Sequence, residues 1–472
     1  MPYIYARNIA AVVSCNNIFI CITILSNQTM YSKQSLAVLK KGLDKLSEGF
    51  AGLPFFDQEM PADAEKILLE VAERMQDNFP YHHPLYAGQM LKPPHETARL
   101  AYMLAMWINP NNHALDGGRA SSAMEKEAVA EIALMYGWQQ HLGHLTSSGT
   151  FANLEALWIA GNIHPGKKVA ASEMAHYTHE RISQVLGLKF QKIGCGKSGQ
   201  MDMAKLETQL KKGNIGTVVA TMGTTGTGSV DPLGEILELQ KKYHFRIHVD
   251  AAYGGYFRLA DNLDEATAEK YALMQEADSI VVDPHKHGLQ PYGCGCVLFK
   301  NPEVGRYYKH DSPYTYFSST ELHLGEISLE CSRAGAAAVG LWATQKLFPL
   351  VKGGAFTKRI NSSHHAAMML YEKIQADNRF IALMQPEIDI VIWAEKKVSI
   401  SETSKSSKAI FEKAASKNLH LALFNYPVRL LPAHWRGVAK DEEYVTCLRS
   451  CLLKPEHADW VDAIWEIVVN SL

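Results

Sequence analysis

His-Val-Asp-Ala-Ala-Tyr-Gly-Gly at 248–255 and Asp-Pro-His-Lys-His-Gly at 283–288 each follow directly on a short apolar run that reads as a strand. Asp250 and Lys286 thus stand at the ends of two successive strands. An Asp that ends a strand is most often a turn or cap residue, and a single Lys is most often a solvated surface charge. Together they point further, because ligand loops of a mainly parallel sheet gather at the strands' carboxyl ends. The surrounding pattern supplies such a sheet. From about 90 to 345, helical patterns alternate with short apolar runs: Arg-Ile-His-Val at 246–249, Ser-Ile-Val-Val at 279–282 and Gly-Cys-Val-Leu-Phe at 295–299. That alternation predicts an α/β fold, a mainly parallel sheet sandwiched by helices.

Three more segments bear on the chemistry. Leu-Thr-Ser-Ser-Gly-Thr at 145–150 runs into Phe-Ala-Asn-Leu-Glu-Ala-Leu at 151–157, which reads as a helix. The hydroxyls and Gly149 then sit at a helix start, where free N–H groups and a partial positive charge face an anion. A plain N-cap is the simpler reading of that segment taken alone. Ser-Glu-Met-Ala-His-Tyr at 172–177 offers a flat imidazole, His176, although a lone His is more often structural. Val-Val-Ala-Thr-Met-Gly-Thr-Thr-Gly-Thr-Gly at 218–228 is a strand entering a hydroxyl- and glycine-rich turn, by itself only a tight loop. An amine to hold an aldehyde as a Schiff base, a carboxylate to keep a pyridine nitrogen protonated and a helix start for a phosphate are the groups pyridoxal phosphate needs.

In this order the motifs resemble the group II pyridoxal-phosphate-dependent amino acid decarboxylases of fold type I, among them glutamate, aromatic amino acid, tyrosine and histidine decarboxylases. The resemblance covers roughly residues 80 to 345 and extends more weakly to the C-terminus. It implies that Lys286 carries the cofactor, with His285 beside the phosphate or the substrate. Asp250 would pair with the pyridine nitrogen, and Ala252 would pack on the ring face opposite His176. Ser148, Gly149 and Thr150 would hold the phosphate, and Thr225 would lie near the ring substituents. The chain departs from the family at Asp283, where Asn or Ser often serves the phosphate. A carboxylate beside a dianion is unfavourable without an intervening cation or donor, so Asp283 is left out of the phosphate ligands.

By the same resemblance, Tyr314 or Tyr316 is the loop tyrosine that protonates the carbanion, the two unranked; packing at a subunit interface is the alternative for both. Arg333, in Cys-Ser-Arg-Ala-Gly at 331–335, suits planar recognition of a substrate carboxylate or of the phosphate. Its other reading is a charge-paired Arg at a domain seam. His-His-Pro-Leu-Tyr-Ala-Gly-Gln-Met at 82–90 resembles the segment that lines the substrate pocket, with Gln89 as the substrate-side residue. No metal site is expected. Cys447 and Cys451 are one helical turn apart, without a His at ligand spacing.

The expected activity is decarboxylation of an L-amino acid to its amine and carbon dioxide. An aminotransferase or a carbon–carbon lyase would use the same Lys286, Asp250 and His176, while an inactive scaffold would not need all three. The His285–Lys286 pair and the Tyr314 region favour decarboxylation. Acidic, aromatic and diamino substrates stay open; Gly-Leu-Gln-Pro-Tyr-Gly at 288–293 leans toward tyrosine-decarboxylase-like relatives by analogy. The resemblance also implies a homodimer with its active sites at the interface.

Bulk properties agree with an enzyme of small molecules. The 472 residues are 47% apolar with a formal net charge of −2, which gives no case for nucleic acid. Eight scattered cysteines without a Cys-x-x-Cys pair fit reduced thiols and a cytoplasmic location. Residues 9–25 are apolar but interrupted by Asn16 and Asn17, short for a membrane span, and no membrane association is expected. Four regions are expected: an atypical apolar extension at 1–29, non-native or a mis-assigned start, with a signal or anchor as the other reading; an N-terminal helical segment at 30–89 that wraps a partner subunit; a cofactor-binding large domain at 90–345; and a small α+β domain at 346–472. Gly353-Gly354 marks the last transition, and Glu-Ile-Asp-Ile-Val-Ile-Trp at 387–393 reads as a strand of the small domain.

Overall fold

The computed structural model describes residues 32–54, 59–309 and 323–472. The 1–29 extension and both loop tyrosines, Tyr314 and Tyr316, lie outside the described residues. The chain divides into two units, Met1–Gln58 and Glu59–Leu472. The described part of the first is built on the helix Lys33–Glu48, whose N-cap Ser32 accepts the Ser35 N–H through its side chain.

The second unit carries a seven-stranded sheet: β1 (Leu142–Thr146), β2 (Lys168–Ser172), β3 (Lys189–Ile193), β4 (Ile215–Thr221), β5 (Arg246–Asp250), β6 (Ser279–Val282) and β7 (Gly295–Phe299). Their spatial order is β1-β7-β6-β5-β4-β2-β3. Only β7 runs against its neighbours; every other pair is parallel. Because β7 reverses twice, β1 points the same way as β4, β5 and β6, and the carboxyl ends of all four open on one edge. The strands are nearly continuous apolar runs because helices such as Gly149–Ile163 and Leu233–Tyr243 cover the sheet. Register then sets the site. Thr221 pairs with Asp250, and Asp250 pairs with Val281, two residues before Asp283.

A second, antiparallel sheet of β8 (Phe380–Ala382), β9 (Ile390–Glu395), β10 (Ala422–Pro427) and β11 (Tyr444–Cys451) has the order β10-β11-β9-β8. Its core joins Trp393 and Leu448 to Leu370 of the helix Ala355–Ala376 and Val461 of the helix His457–Val469. The sequence pattern puts a strand over 387–393, but β9 begins only at Ile390. The acids ahead of it are turned to the connection between β5 and β6: Glu387 accepts Lys270 Nζ at 2.6 Å, and Asp389 accepts the Tyr253 hydroxyl at 2.8 Å. Among the described residues, no helix is long and apolar enough to cross a membrane.

Candidate functional site

Each predicted motif folds for a local reason. In Asp283-Pro284-His285-Lys286 the Asp283 carbonyl accepts the Lys286 N–H at 2.9 Å, a tight turn with proline at its second position. After β5, Asp250 Oδ1 accepts the Ala252 N–H at 3.1 Å, which bends the chain away from the strand. Gly254 follows, and a Cβ there would collide with the Met222 carbonyl oxygen. After β1, Ser148 caps the helix Gly149–Ile163 by accepting the Phe151 N–H at 3.2 Å. The first turn still leaves the Gly149 and Thr150 N–H groups without an intrahelical acceptor.

These ends meet at one cavity of about 170 Å³. Its wall includes Ser148, Gly149, Thr150, His176, Thr225, Asp250, Ala252, His285 and Lys286, nine residues from five separate segments. Gln89 and Arg333 do not line it. Arg333 Nη1 donates to Glu125 Oε1 at 2.7 Å and to the Leu145 carbonyl at 2.6 Å, a buried pair that ties the segment after 331 to β1. Gln89 Oε1 accepts Arg449 Nη1 at 3.3 Å.

Sequence reasoning set Asp283 aside, yet it lies on the wall, against the start of the helix Gly149–Ile163. Any Cβ on residue 149 would overlap its carboxylate. Lys286 Nζ lies 3.0 Å and His285 Nε2 3.5 Å from Asp283 Oδ2, so the cation such a carboxylate requires is the lysine itself. Five further wall residues were not singled out from sequence: Asn153, Thr178, Thr221, Gly223 and Tyr253.

Behind the wall, His179 Nε2 donates to Asp250 Oδ2 at 2.7 Å, both side chains buried. Burial pushes the Asp250 carboxyl up, but the His179 hydrogen bond and charge, with Lys286, outweigh it and hold the group well below the usual carboxylate range. Burial, with His179 adding to it, pulls His248 down to about 3, so that imidazole is neutral. Its Nε2 then donates to Asn153 Oδ1 at 2.8 Å, and its Nδ1 accepts from Ser279 Oγ at 2.9 Å. Burial also lowers His176 and His285, leaving both uncharged at neutral pH. His285 Nδ1 lies 2.7 Å from the Cys294 carbonyl, an acceptor only, which puts the ring proton on Nδ1 and leaves Nε2 on the cavity side.

This donor set fits pyridoxal phosphate. Thr221 Oγ1 is buried on the wall without a hydrogen-bond partner, and the Gly149 and Thr150 N–H groups at the helix start are free to receive an anion. An ionised buried carboxylate, a flat uncharged imidazole and an amine complete the match to a ring that is charged at nitrogen and bears an aldehyde.

Fold and cavity together define a pyridoxal-phosphate enzyme of fold type I. The chain belongs to the family described as the pyridoxal-dependent decarboxylase conserved domain, which it matches over residues 53–396. It is 26% identical to an L-tyrosine decarboxylase of Enterococcus faecium, over 83% of this chain and 85% of the relative. To an aspartate 1-decarboxylase of Aliivibrio fischeri it is 27% identical, over 78% of this chain and 74% of the relative. Among solved structures, mouse CSAD in its apo form superposes with a TM-score of 0.74 at 18% identity, covering 93% of this chain and 99% of that one. Oryza sativa TDC with PLP and tryptamine gives 0.74 at 17%, covering 94% and 99%. The chain is thus a pyridoxal-phosphate-dependent carboxy-lyase that converts an L-amino acid to its amine and carbon dioxide.

Proposed function

We propose that the cavity under the carboxyl ends of β1, β4, β5 and β6 is the active site of this decarboxylase. The convergence of nine residues from five segments on one wall carries the reading. When bound, pyridoxal phosphate supplies a conjugated ring that takes up the electron pair left at the substrate's alpha carbon. Lys286 is the amine that holds its aldehyde. Asp250 keeps the ring nitrogen positive, and His179 keeps Asp250 ionised and oriented. His176 and Ala252 flank the ring and exclude water, which strengthens the Asp250 attraction. Ser148, Gly149 and Thr150 hold the phosphate, with Thr225 near the ring. His285, neutral with its proton pinned on Nδ1, can accept a proton at Nε2, and Tyr314 or Tyr316 supplies the proton that replaces carbon dioxide.

Arg449 is the residue we assign to a substrate carboxylate. It is buried within β11, no acid pairs with it among the described residues, and its Nε and Nη2 have no partner. It stands behind the cavity wall rather than on it, and its Nη1 donates to the Gly88 carbonyl and to Gln89 Oε1, each at 3.3 Å. A buried guanidinium without a counterion is costly, and a bidentate carboxylate satisfies it. Arg333, by contrast, already has a buried counterion in Glu125 and a bond to the Leu145 carbonyl, so its role is to pin the end of β1.

Tyrosine and aspartate, the substrates in the relatives' names, are the first to test. The experiment is a product screen of the loaded enzyme against the common amino acids, reading carbon dioxide and amine. Arg449→Met should raise KM for the accepted substrate more than tenfold, the scale of a lost charge-assisted pair. Keto acid formed in place of amine would make the protein an aminotransferase instead.

The assembly we propose is a homodimer with the active sites at its interface. The helix Ala64–Met75 has no buried residue although it carries Ile67, Leu68, Leu69, Val71 and Met75, and Trp107 and Ile108 are exposed as well. Apolar surface of that extent calls for a partner. The proposed divisions stay at 30–89, 90–345 and 346–472, and six described cysteines without disulfides support the cytoplasm. Mixing Lys286→Ala subunits with subunits carrying Phe at 314 and 316 tests the seam. Recovery of part of the activity in verified mixed dimers is expected; none would place the tyrosines in their own subunit's site.

A further inference from the structure

A second cavity, of about 270 Å³, lies apart from the active site and shares no wall residue with it. Lys92, Arg359 and Lys454 line it, together with His95 and Leu289. The Leu289 carbonyl accepts the His95 N–H at 2.9 Å, and Leu289 itself is held at φ 67, a conformation costly for a branched side chain. The cavity wall is therefore built at some expense of backbone freedom.

The three cations are poorly matched by acids. Lys454 is 3% exposed, and its ammonium donates to the Tyr86 carbonyl at 2.6 Å rather than to a carboxylate. Lys92 reaches only the Leu453 carbonyl, at 3.4 Å. Arg359 has its nearest acid, Glu456, at 4.0 Å, and its buried Nε has no partner. Among the described residues Glu456 is the one carboxylate within ion-pair reach of any of the three, and its own side chain is 57% exposed. Glu96 also faces the cavity, and Asp389, which acts on Lys92 from farther off, is engaged by Tyr253 and His287.

Mutual repulsion shows in the lysines. Burial, with Arg359 next, pulls Lys92 down to about 8; burial, with Lys92 next, pulls Lys454 down to about 7. Neither amine would be displaced this way beside an adequate counterion. Hydrophobic residues would have filled the space at lower cost, so converging three cations on one cavity calls for an occupant of opposite charge.

We propose that this cavity binds a small oxyanion, a phosphate or a compact dicarboxylate, held by Lys92, Arg359 and Lys454. Three donors approaching from separate segments suit an oxyanion with several acceptor oxygens, and the three cations outnumber the two facing acids, Glu96 and Glu456, by one charge. The assignment is independent of which amino acid the enzyme decarboxylates.

The test uses the fully loaded enzyme, whose cofactor blocks the phosphate cradle of the active site. Calorimetric titration with sodium phosphate, at ionic strength fixed by sodium chloride, should give saturable binding of one ion per subunit. Lys92→Gln and Arg359→Gln, both at partly exposed positions, should each weaken it about tenfold or more, as losing one charged contact does. Their cofactor absorbance should match the parent's, which separates the loss from misfolding. Sulfate should compete. If succinate binds more tightly than phosphate, the occupant is a dicarboxylate; if not, a phosphate. No saturable binding of phosphate, sulfate or succinate, or unchanged affinity in both variants, overturns the site.

Discussion

Lys286→Ala is expected to abolish turnover and to leave no pyridoxyl group that borohydride can fix to the protein. In the parent enzyme, reduction followed by peptide mapping should put the label on Lys286 and nowhere else. Geometry limits the alternatives. Among the residues that line the cavity, Lys286 is the only amine, and its Nζ is held 3.0 Å from Asp283 Oδ2 at the foot of the helix start proposed for the phosphate. The turn that carries it rests on Pro284 and a main-chain hydrogen bond, neither of which the substitution touches. The variant should therefore fold, with the Asp283 carboxylate keeping His285 as a neighbour. Because the amine forms the bond to the aldehyde, the loss of rate should be many orders of magnitude rather than a graded one. A labelled residue elsewhere in the variant would mean that the lysine has been misassigned.

The parts of this site that can be read along the chain are those whose chemistry is local. A strand that ends in Asp250 and passes into Ala-Ala-Tyr-Gly-Gly, or one that passes into Asp-Pro-His-Lys, carries its turn in its own residues. The Ser148 cap and the helix behind it are equally local. What the chain conceals is pairing across distance. His179 lies 71 residues before its partner Asp250, and only its spacing of one helical turn from His176 hints that both imidazoles face the same way. Glu125 precedes Arg333 by 208 residues, so a residue that could have met a substrate is engaged elsewhere. Arg449 had one signal, a charge inside an otherwise uncharged strand, but its vacancy depends on what the fold fails to bring near it. The start of β9 was displaced for a related reason: Glu387 and Asp389 alternate like strand residues, yet their carboxylates are drawn to Lys270 and Tyr253 in the connection between β5 and β6.

The pairing of Asp250 with His179 yields the second large effect. Asp250→Asn keeps the shape and the hydrogen bond to the Ala252 N–H but removes the charge that a protonated ring nitrogen requires. Turnover should fall by about 10²–10³, the range for losing a preorganised electrostatic contact in a dry site. The fold should survive, since Asn fills the same space in a buried, well-packed position. A pH consequence goes with it. The Asp250 carboxyl is held below the ordinary value of 3.8 in the folded state, against burial, by His179 and Lys286. A depressed carboxyl stabilises the fold above its unfolded value, and that contribution is lost as the pH drops toward the folded one. Asp250 thus stays charged throughout the working range and cannot supply the acidic limb of the rate profile. His179→Phe removes the hydrogen bond while leaving the charge, so a smaller loss is expected, with an altered pH dependence of the bound cofactor's absorbance; His179→Gln, which keeps a donor, should recover part of both. Stopped assays of kcat and spectra of the three variants across pH decide the matter. Near-parent turnover in Asp250→Asn would mean that another group serves the ring nitrogen, and His179 would then be a packing residue only.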